Sequence, residues 1–118
     1  MPAPDASLAG EDFCYITTTG RVTGNPHTIE IWFALHEGVL YILTGGSFRS
    51  DTVRNLQKQP ACRVRLKDVT YDATARVVTD ADEDALARRL LFEKYHSSDE
   101  DLDSWSKTAL PVAFEFTR

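Results

Sequence analysis

Histidine, cysteine and methionine are scarce in these 118 residues, at three, two and one. His27, His36 and His96 stand far apart, with no HxH or HExxH pairing, so no metal site is expected. Cys14 and Cys62 form no CxxC and fall in different predicted strands. They read as reduced, half-buried strand residues rather than as a disulfide or a metal pair. No apolar run approaches the roughly 20 residues of a membrane helix. The stretch from Met1 to Asp12 lacks a basic start and an apolar run, so a secretion signal is not expected and the expected compartment is the cytoplasm. The chain has no GK[ST] phosphate loop, no GxGxxG dinucleotide fingerprint and no GxSxG elbow. With six glycines and five prolines it also has no linker or low-complexity tract, and one domain over 1–118 is expected, with 1–12 a loose leading segment. Positive charge is short as well: 13 basic against 18 acidic residues, net −5, which disfavours a nucleic-acid partner.

What charge there is has a pattern. Residues 21–67 carry seven bases against three acids, a local +4, whereas residues 68–118 carry six bases against twelve acids, a local −6. A basic middle in an acidic chain suits a small anionic ligand. Arg63, Arg65 and Lys67 also fit the wet face of a strand.

Alternation marks the elements. Phe13–Thr19 reads as a strand that Gly20 closes. The segment from Gly20 to Pro26 is dense in turn formers. From His27 to His36, Ile29, Ile31, Phe33 and Leu35 point one way and Thr28, Glu30, Trp32 and Ala34 the other, which predicts one continuous strand. Glu37-Gly38 turns into a returning strand, Val39–Thr44. Ser50 caps a short helix with Val53 and Leu56 on one face, and Pro60 stops it. Strands follow at Ala61–Lys67 and Tyr71–Val77. A helix over about 82–96 carries Leu86, Leu90, Leu91 and Tyr95, His96–Asp103 reads as a polar loop or a frayed short helix, and Leu110–Thr117 closes as a strand with Val112, Phe114 and Phe116 on one face. About six strands joined mostly by short turns, with two to three helices, predict a mainly β fold, a barrel with peripheral helices.

Two glycine-bearing corners are candidate sites. Thr17-Thr18-Thr19-Gly20-Arg21-Val22-Thr23-Gly24 combines hydroxyls, glycines that let backbone amides approach a ligand, and an arginine suited to phosphate. Thr44-Gly45-Gly46-Ser47-Phe48-Arg49-Ser50 leads a strand into a helix N-terminus, with Arg49 and Arg54 adding charge. Each also reads as an ordinary turn. Glu30 fits a buried acid or a solvated one, and Trp32 and Trp105 fit a ring-stacking pocket or plain packing.

The run Ile16–Phe33 resembles the opening of the deazaflavin-dependent nitroreductase, or F420H2-dependent quinone reductase, family, whose usual form is a hydrophobic-T-T-G-R-K-[ST]-G-x-x-R segment before a short apolar strand. Leu40-Tyr-Ile-Leu-Thr-Gly-Gly, Val53-Arg-Asn-Leu-Gln-Lys-Gln-Pro60 and Arg63-Val-Arg-Leu66 are similar to its strand, its glycine loop and its W-x-x-N-L-x-x-x-P helix. Ser104–Val112 is similar to its closing segment. The resemblance covers about residues 13–116. It implies a split β-barrel of the pyridoxamine-phosphate-oxidase, FMN-binding type, usually a homodimer. It implies hydride transfer between coenzyme F420 and a small quinone, nitro or unsaturated acceptor. The cofactor contacts it implies are Gly20, Arg21, Thr23, Gly24 and His27 for the phosphate and side chain, possibly with Arg49, and Thr44, Gly45, Gly46 and Ser47 for the ring, with Asn55 at the helix-motif asparagine. Trp32 and Tyr95 fall to the substrate pocket, with Tyr95 the one candidate proton donor. The chain departs from the family pattern at Val22 and His27, where a lysine and an arginine are usual. The segment that shapes the pocket of nitro-reducing members is here polar, and a membrane-acting quinone reductase is not expected. FMN in the same groove, or a non-catalytic carrier of a small molecule, are the alternatives.

Overall fold

The computed structural model describes residue 4 and residues 6–45, 49–95 and 107–116. After a short 3-10 turn at Ala6–Gly10 come strands β1 (Cys14–Thr19), β2 (Pro26–Ile31), β3 (Ala34–His36) and β4 (Val39–Thr44), then helix α1 (Asp51–Lys58), strands β5 (Ala61–Leu66) and β6 (Val69–Val77), helix α2 (Ala81–Tyr95) and strand β7 (Leu110–Phe116). All seven strands form one antiparallel sheet in the order β2-β1-β5-β6-β7-β4-β3.

That order forces a barrel. In a flat sheet the two edges, β2 and β3, would lie about 29 Å apart at the usual strand spacing. Yet β2 ends at Ile31 and β3 begins at Ala34. Three Cα steps reach at most ~11 Å, so the sheet must curl until its edges meet. They meet without pairing, and the barrel is split there. The single strand expected over His27–His36 is thus two strands broken at Trp32–Phe33. Alternation cannot show the break, because the side chains keep their faces while the backbone changes partner from β1 to β4. Ile29, Ile31, Phe33 and Leu35 do share the core-facing side.

The interior is filled by Cys14, Ile16, Leu40, Ile42, Val64, Leu66, Tyr71, Val112, Phe114 and their neighbours. Helix α1 adds Val53 and Leu56 to this cluster, about 1.5–3 kcal/mol of apolar burial for each side chain. Ser50 caps the helix by accepting from the Val53 amide at 3.4 Å, and the chain leaves it at Gln59 ahead of Pro60. Both cysteines are free; Cys14 is fully buried rather than half-buried, and burial pushes both thiols up to about 12. A second cluster lies under α2, where Tyr41, Leu43 and Ala113 of β4 and β7 meet Ala87, Leu91 and Tyr95. Ala87 lies one turn before Leu91, and its small side chain lets the helix approach the sheet. Glu37 and Gly38 both take positive φ, 49° and 81°, the two-residue turn that suits a hairpin.

Two contacts tie α2 down. At its C-terminal end the Tyr95 hydroxyl accepts from the Phe33 amide at 3.1 Å and lies 2.8 Å from the Asp12 carbonyl. Lys94 reaches the Phe33 carbonyl at 3.0 Å and sits 3.7 Å above the Phe33 ring, and burial lowers its pKa to about 8. The seam of the barrel is thereby pinned by the helix. At the N-terminal end Arg76 of β6 grips both Glu83 oxygens at 2.6 and 2.8 Å and takes Glu115 at 2.7 Å, while Tyr41 donates to Glu83 at 2.7 Å.

These bonds hold the Glu83 carboxyl down from 4.5 to about 2. A group depressed on folding adds stability above its unfolded pKa and loses it as the pH falls through its folded one. The wild-type melting temperature is therefore expected to fall between pH 4.5 and about 2. Glu83→Gln should be less stable than wild type at pH 7 and should lose less across that window. Parallel acid slopes in thermal melts of the two proteins would contradict this.

Candidate functional site

The first glycine corner is a turn sewn to α1. Gly20 donates to the Asn25 carbonyl at 2.8 Å and Gly24 to the Gly20 carbonyl at 2.9 Å. Gly24 sits at φ +78°, which a side chain rarely tolerates. At Gly20 the constraint is room: a Cβ there would stand 2.8 Å from Nε2 of His27. His27 therefore lies against the turn because residue 20 has no side chain.

Asn55 holds the turn in place. It is a polar residue only 3% exposed. Its Oδ1 accepts from the Arg21 amide at 3.2 Å and from Arg21 Nη1 at 3.0 Å, and its Nδ2 donates to Thr18 Oγ1 at 3.2 Å. One buried amide thus joins β1, the turn and α1. Arg21 Nη2 pairs with Asp51 at 3.0 Å, Lys58 donates to the Arg21 carbonyl at 2.9 Å, and Gln59 donates to Thr19 at 3.4 Å. The guanidinium reaches this region with its rotamer already fixed, which lowers the entropy lost when it takes a ligand.

Beside the turn lies a groove of about 480 Å³, within the ~300–1,000 Å³ usual for small-molecule sites. Arg21, Val22 and Thr23 line one wall, His27 the floor strand, and Asp51 and Asn55 the helix side. Val22 is 87% exposed, so the position where a lysine is usual in the resembling family presents an apolar side chain to solvent.

The structure brings together Gly20, Arg21, Thr23, His27 and Asn55 in this groove; Gly24 belongs to the same turn and lines the neighbouring groove with Lys58. It alters how some of them act. The amides of Gly20, Arg21 and Gly24 are spent within the protein, so they are not available to an anion; the corner offers side chains instead. Thr44 is buried at the end of β4 and its hydroxyl donates to the Leu110 carbonyl. Gly45 is exposed and does not line the groove, and Arg49 is exposed just ahead of α1. Gly46 and Ser47 lie outside the described residues, as do His96–Asp103 and Trp105.

Trp32 and Tyr95 stack face to face, their centroids 4.3 Å apart and their planes 4° from parallel. Burial pushes the Tyr95 hydroxyl up to about 12, and backbone groups occupy it from both sides. The arrangement makes it a clamp on the barrel seam. Glu30 is exposed and accepts from Tyr15 at 2.6 Å, so it is not a buried acid. In the sequence Asp51 is only the residue after the Ser50 cap, and Thr18 only one of three adjacent hydroxyls. Their shared role rests on contacts across 30 and 37 residues, which no local spacing reveals.

Two substitutions test these assignments. Asn55→Ala strands the Arg21 amide and the Thr18 hydroxyl, and should cost about 1–3 kcal/mol in denaturant unfolding; an unchanged midpoint would show that the knot contributes nothing. Tyr95→Phe should cost a similar ~1–3 kcal/mol while leaving the pH dependence of any turnover unmoved. A lost ionisation in the pH–rate profile would restore Tyr95 as an acid.

Residues 5–116 match the family model described as F420H(2)-dependent quinone reductase. Among solved structures, the chain is similar to a conserved hypothetical protein from Mycobacterium tuberculosis (TM-score 0.78, 19% identity, covering 98% of this chain and 81% of that one). It is similar to an F420 reductase (TM-score 0.69, 18% identity, 98% and 96% covered). It is also similar to a pyridoxamine 5'-phosphate-oxidase-like protein from Listeria innocua (TM-score 0.69, 16% identity, 96% and 90% covered). At these identities the likeness shows the fold, the split β-barrel.

Proposed function

The chain belongs to the F420H(2)-dependent quinone reductase family, and from that premise we propose that it is an oxidoreductase that binds reduced coenzyme F420 at the Arg21 turn and reduces a small quinone, nitro or unsaturated acceptor. The observation that carries the placement is the Arg21–Asn55–Thr18 knot, which presents a fixed guanidinium to a groove of about 480 Å³.

The residues present fit an anion-bearing deazaflavin. Arg21 supplies a guanidinium that is positioned before the ligand arrives. Thr23 supplies a hydroxyl and His27 an imidazole against the turn. Thr44, Gly45, Gly46 and Ser47, which precede α1 in the sequence, are proposed to meet the ring, and Arg49 to join Arg21 at the phosphate. When bound, the coenzyme supplies the hydride; the protein supplies position and charge. Asn55 and Asp51 keep Arg21 from swinging into solvent. Trp32, stacked on Tyr95 at the seam, is an aromatic surface proposed for the acceptor. The proposed assembly is a homodimer and the proposed compartment the cytoplasm. Among the described residues, no helix is long and apolar enough to cross a membrane. FMN in the same groove and a non-catalytic carrier are the competing readings.

Titration of the purified protein with F420, followed by the coenzyme's fluorescence, separates them. Wild type should bind F420, and Arg21→Ala should weaken binding by about tenfold or more, the effect of losing a hydrogen bond to a charged group. Saturable F420 binding that is indifferent to Arg21 would remove the phosphate from this turn. Binding of neither F420 nor FMN would leave the carrier.

A further inference from the structure

Behind α1, between the helix and strands β6 and β7, lies a cavity of about 170 Å³ that shares no lining residue with the groove at the Arg21 turn. Val53, Leu56, Ala75 and Val112 form its floor and are buried, with Val77 half-buried beside them. The space exists because β6 offers only a methyl group at Ala75. The helix is also held off the strand. The Ala75 amide donates to the Pro60 carbonyl at 2.9 Å, and this backbone bond fixes how far the end of α1 stands from β6. Packed interiors keep few voids of this size, since the side chains lining one lose contacts with nothing in return.

The lining decides what the cavity can take. Its aliphatic floor offers contact to an apolar body and nothing to a charge. The one charged residue at the rim is Arg76, and two carboxylates already hold it: Glu83 takes two of its nitrogens at 2.6 and 2.8 Å, and Glu115 the third at 2.7 Å. A guanidinium offset twice over does not draw an anion. A cation would have to leave water for an aliphatic floor, which is costly. An uncharged ligand is left. An apolar cavity of about 150 Å³ holds one benzene ring, so this one has room for a single six-membered ring. Gln57 is exposed at the rim and carries an amide suited to a hydroxyl or carbonyl on that ring.

Helix α1 walls both sites, with opposite faces. At about 3.6 residues per turn, Asp51, Asn55 and Lys58 fall on one side, where each bonds to Arg21, and Val53, Leu56 and Gln57 fall on the other. We infer that the cavity is a second ligand site, for one uncharged six-membered ring bearing a hydroxyl or carbonyl, and that α1 links its occupancy to the Arg21 turn. A ring seated against Val53 and Leu56 adjusts how the helix rests on the barrel. The same helix carries Asn55, whose Oδ1 accepts from the Arg21 amide at 3.2 Å. Linkage is reciprocal: whatever the turn binds changes the affinity of the cavity by the factor by which the ring changes that of the turn. The inference does not depend on which coenzyme the turn takes.

The test is a titration of the wild-type protein, without coenzyme, with phenol and with benzoate at pH 7, read by backbone amide chemical shifts. Phenol keeps its proton there, whereas benzoate carries the same ring with a negative charge. Phenol should shift the amides of Val53, Leu56, Ala75 and Val77 saturably, with a dissociation constant on the order of 1 mM or tighter. The Arg21 amide should move along the same isotherm. Benzoate should bind about tenfold more weakly or worse. Ala75→Ile fills the floor and should weaken phenol by about tenfold or more in a protein that still melts cooperatively. Val77→Phe, which fills the cavity from its rim, is read in the same way if Ala75→Ile does not melt cooperatively. Shifts that grow without saturating, or that neither filling variant weakens, overturn the site. Equal affinity for benzoate overturns the uncharged ring as its ligand. A stationary Arg21 amide while the cavity amides titrate overturns the link through α1.

Discussion

Two residues, Trp32 and Phe33, separate the two edges of a seven-stranded sheet, and most of the architecture follows from that constraint. A short chain segment between opposite edges cannot be accommodated by a flat sheet. The curl it imposes creates an interior for Ile16, Leu40, Val64 and Phe114, and an outer face on which α2 can lie. It also creates a weak line, since β2 and β3 do not pair. The Phe33 amide and carbonyl would be left at that line without ladder partners. Tyr95 and Lys94 supply partners, and the amphipathic end of α2 is fixed there as a result. Burial makes this clamp costly to break.

Helix α1 does for the site what α2 does for the barrel. Its apolar face, Val53 and Leu56, packs into the barrel interior. That packing fixes the azimuth of the helix, and the azimuth aims Asn55 and Asp51 at the turn. The eight-residue helix would be marginal alone. Its stability comes from the core, and the core therefore sets the geometry of a polar site at its edge. A change at Val53 would reach Arg21 through Asn55 without touching any ligand.

How much of this was legible in the sequence depends on the range of the cause. Ser50 and Pro60 bound α1, and Glu37-Gly38 marks its hairpin, because caps and turns are local chemistry. Alternation put Val112 and Phe114 of β7 on its core face for the same reason. The break at Trp32–Phe33 was not legible: it is a change of strand partner, and a strand's own period is silent on who its partners are. The candidate site divides likewise. Gly20, Arg21 and His27 were found because turn chemistry is visible in a short window. The spending of the Arg21 amide inside the protein was not, since it depends on Asn55, 34 residues away. Tyr95 became a candidate donor through the family resemblance alone; its three backbone contacts give a structural reason for a tyrosine there.

Charge balance in the groove gives the loss of cations at Val22 and His27 a physical sense. With a lysine at 22 and an arginine at 27, Asp51 would be one carboxylate among three permanent cations. With an apolar residue and a titratable imidazole there, Asp51 balances Arg21 alone. Binding strength given up in Coulomb attraction is partly recovered in preorganisation, because Asn55 and Asp51 have already frozen the arginine rotamer. In the proposed reading, the preformed geometry of the turn then contributes to binding beside the charge of Arg21.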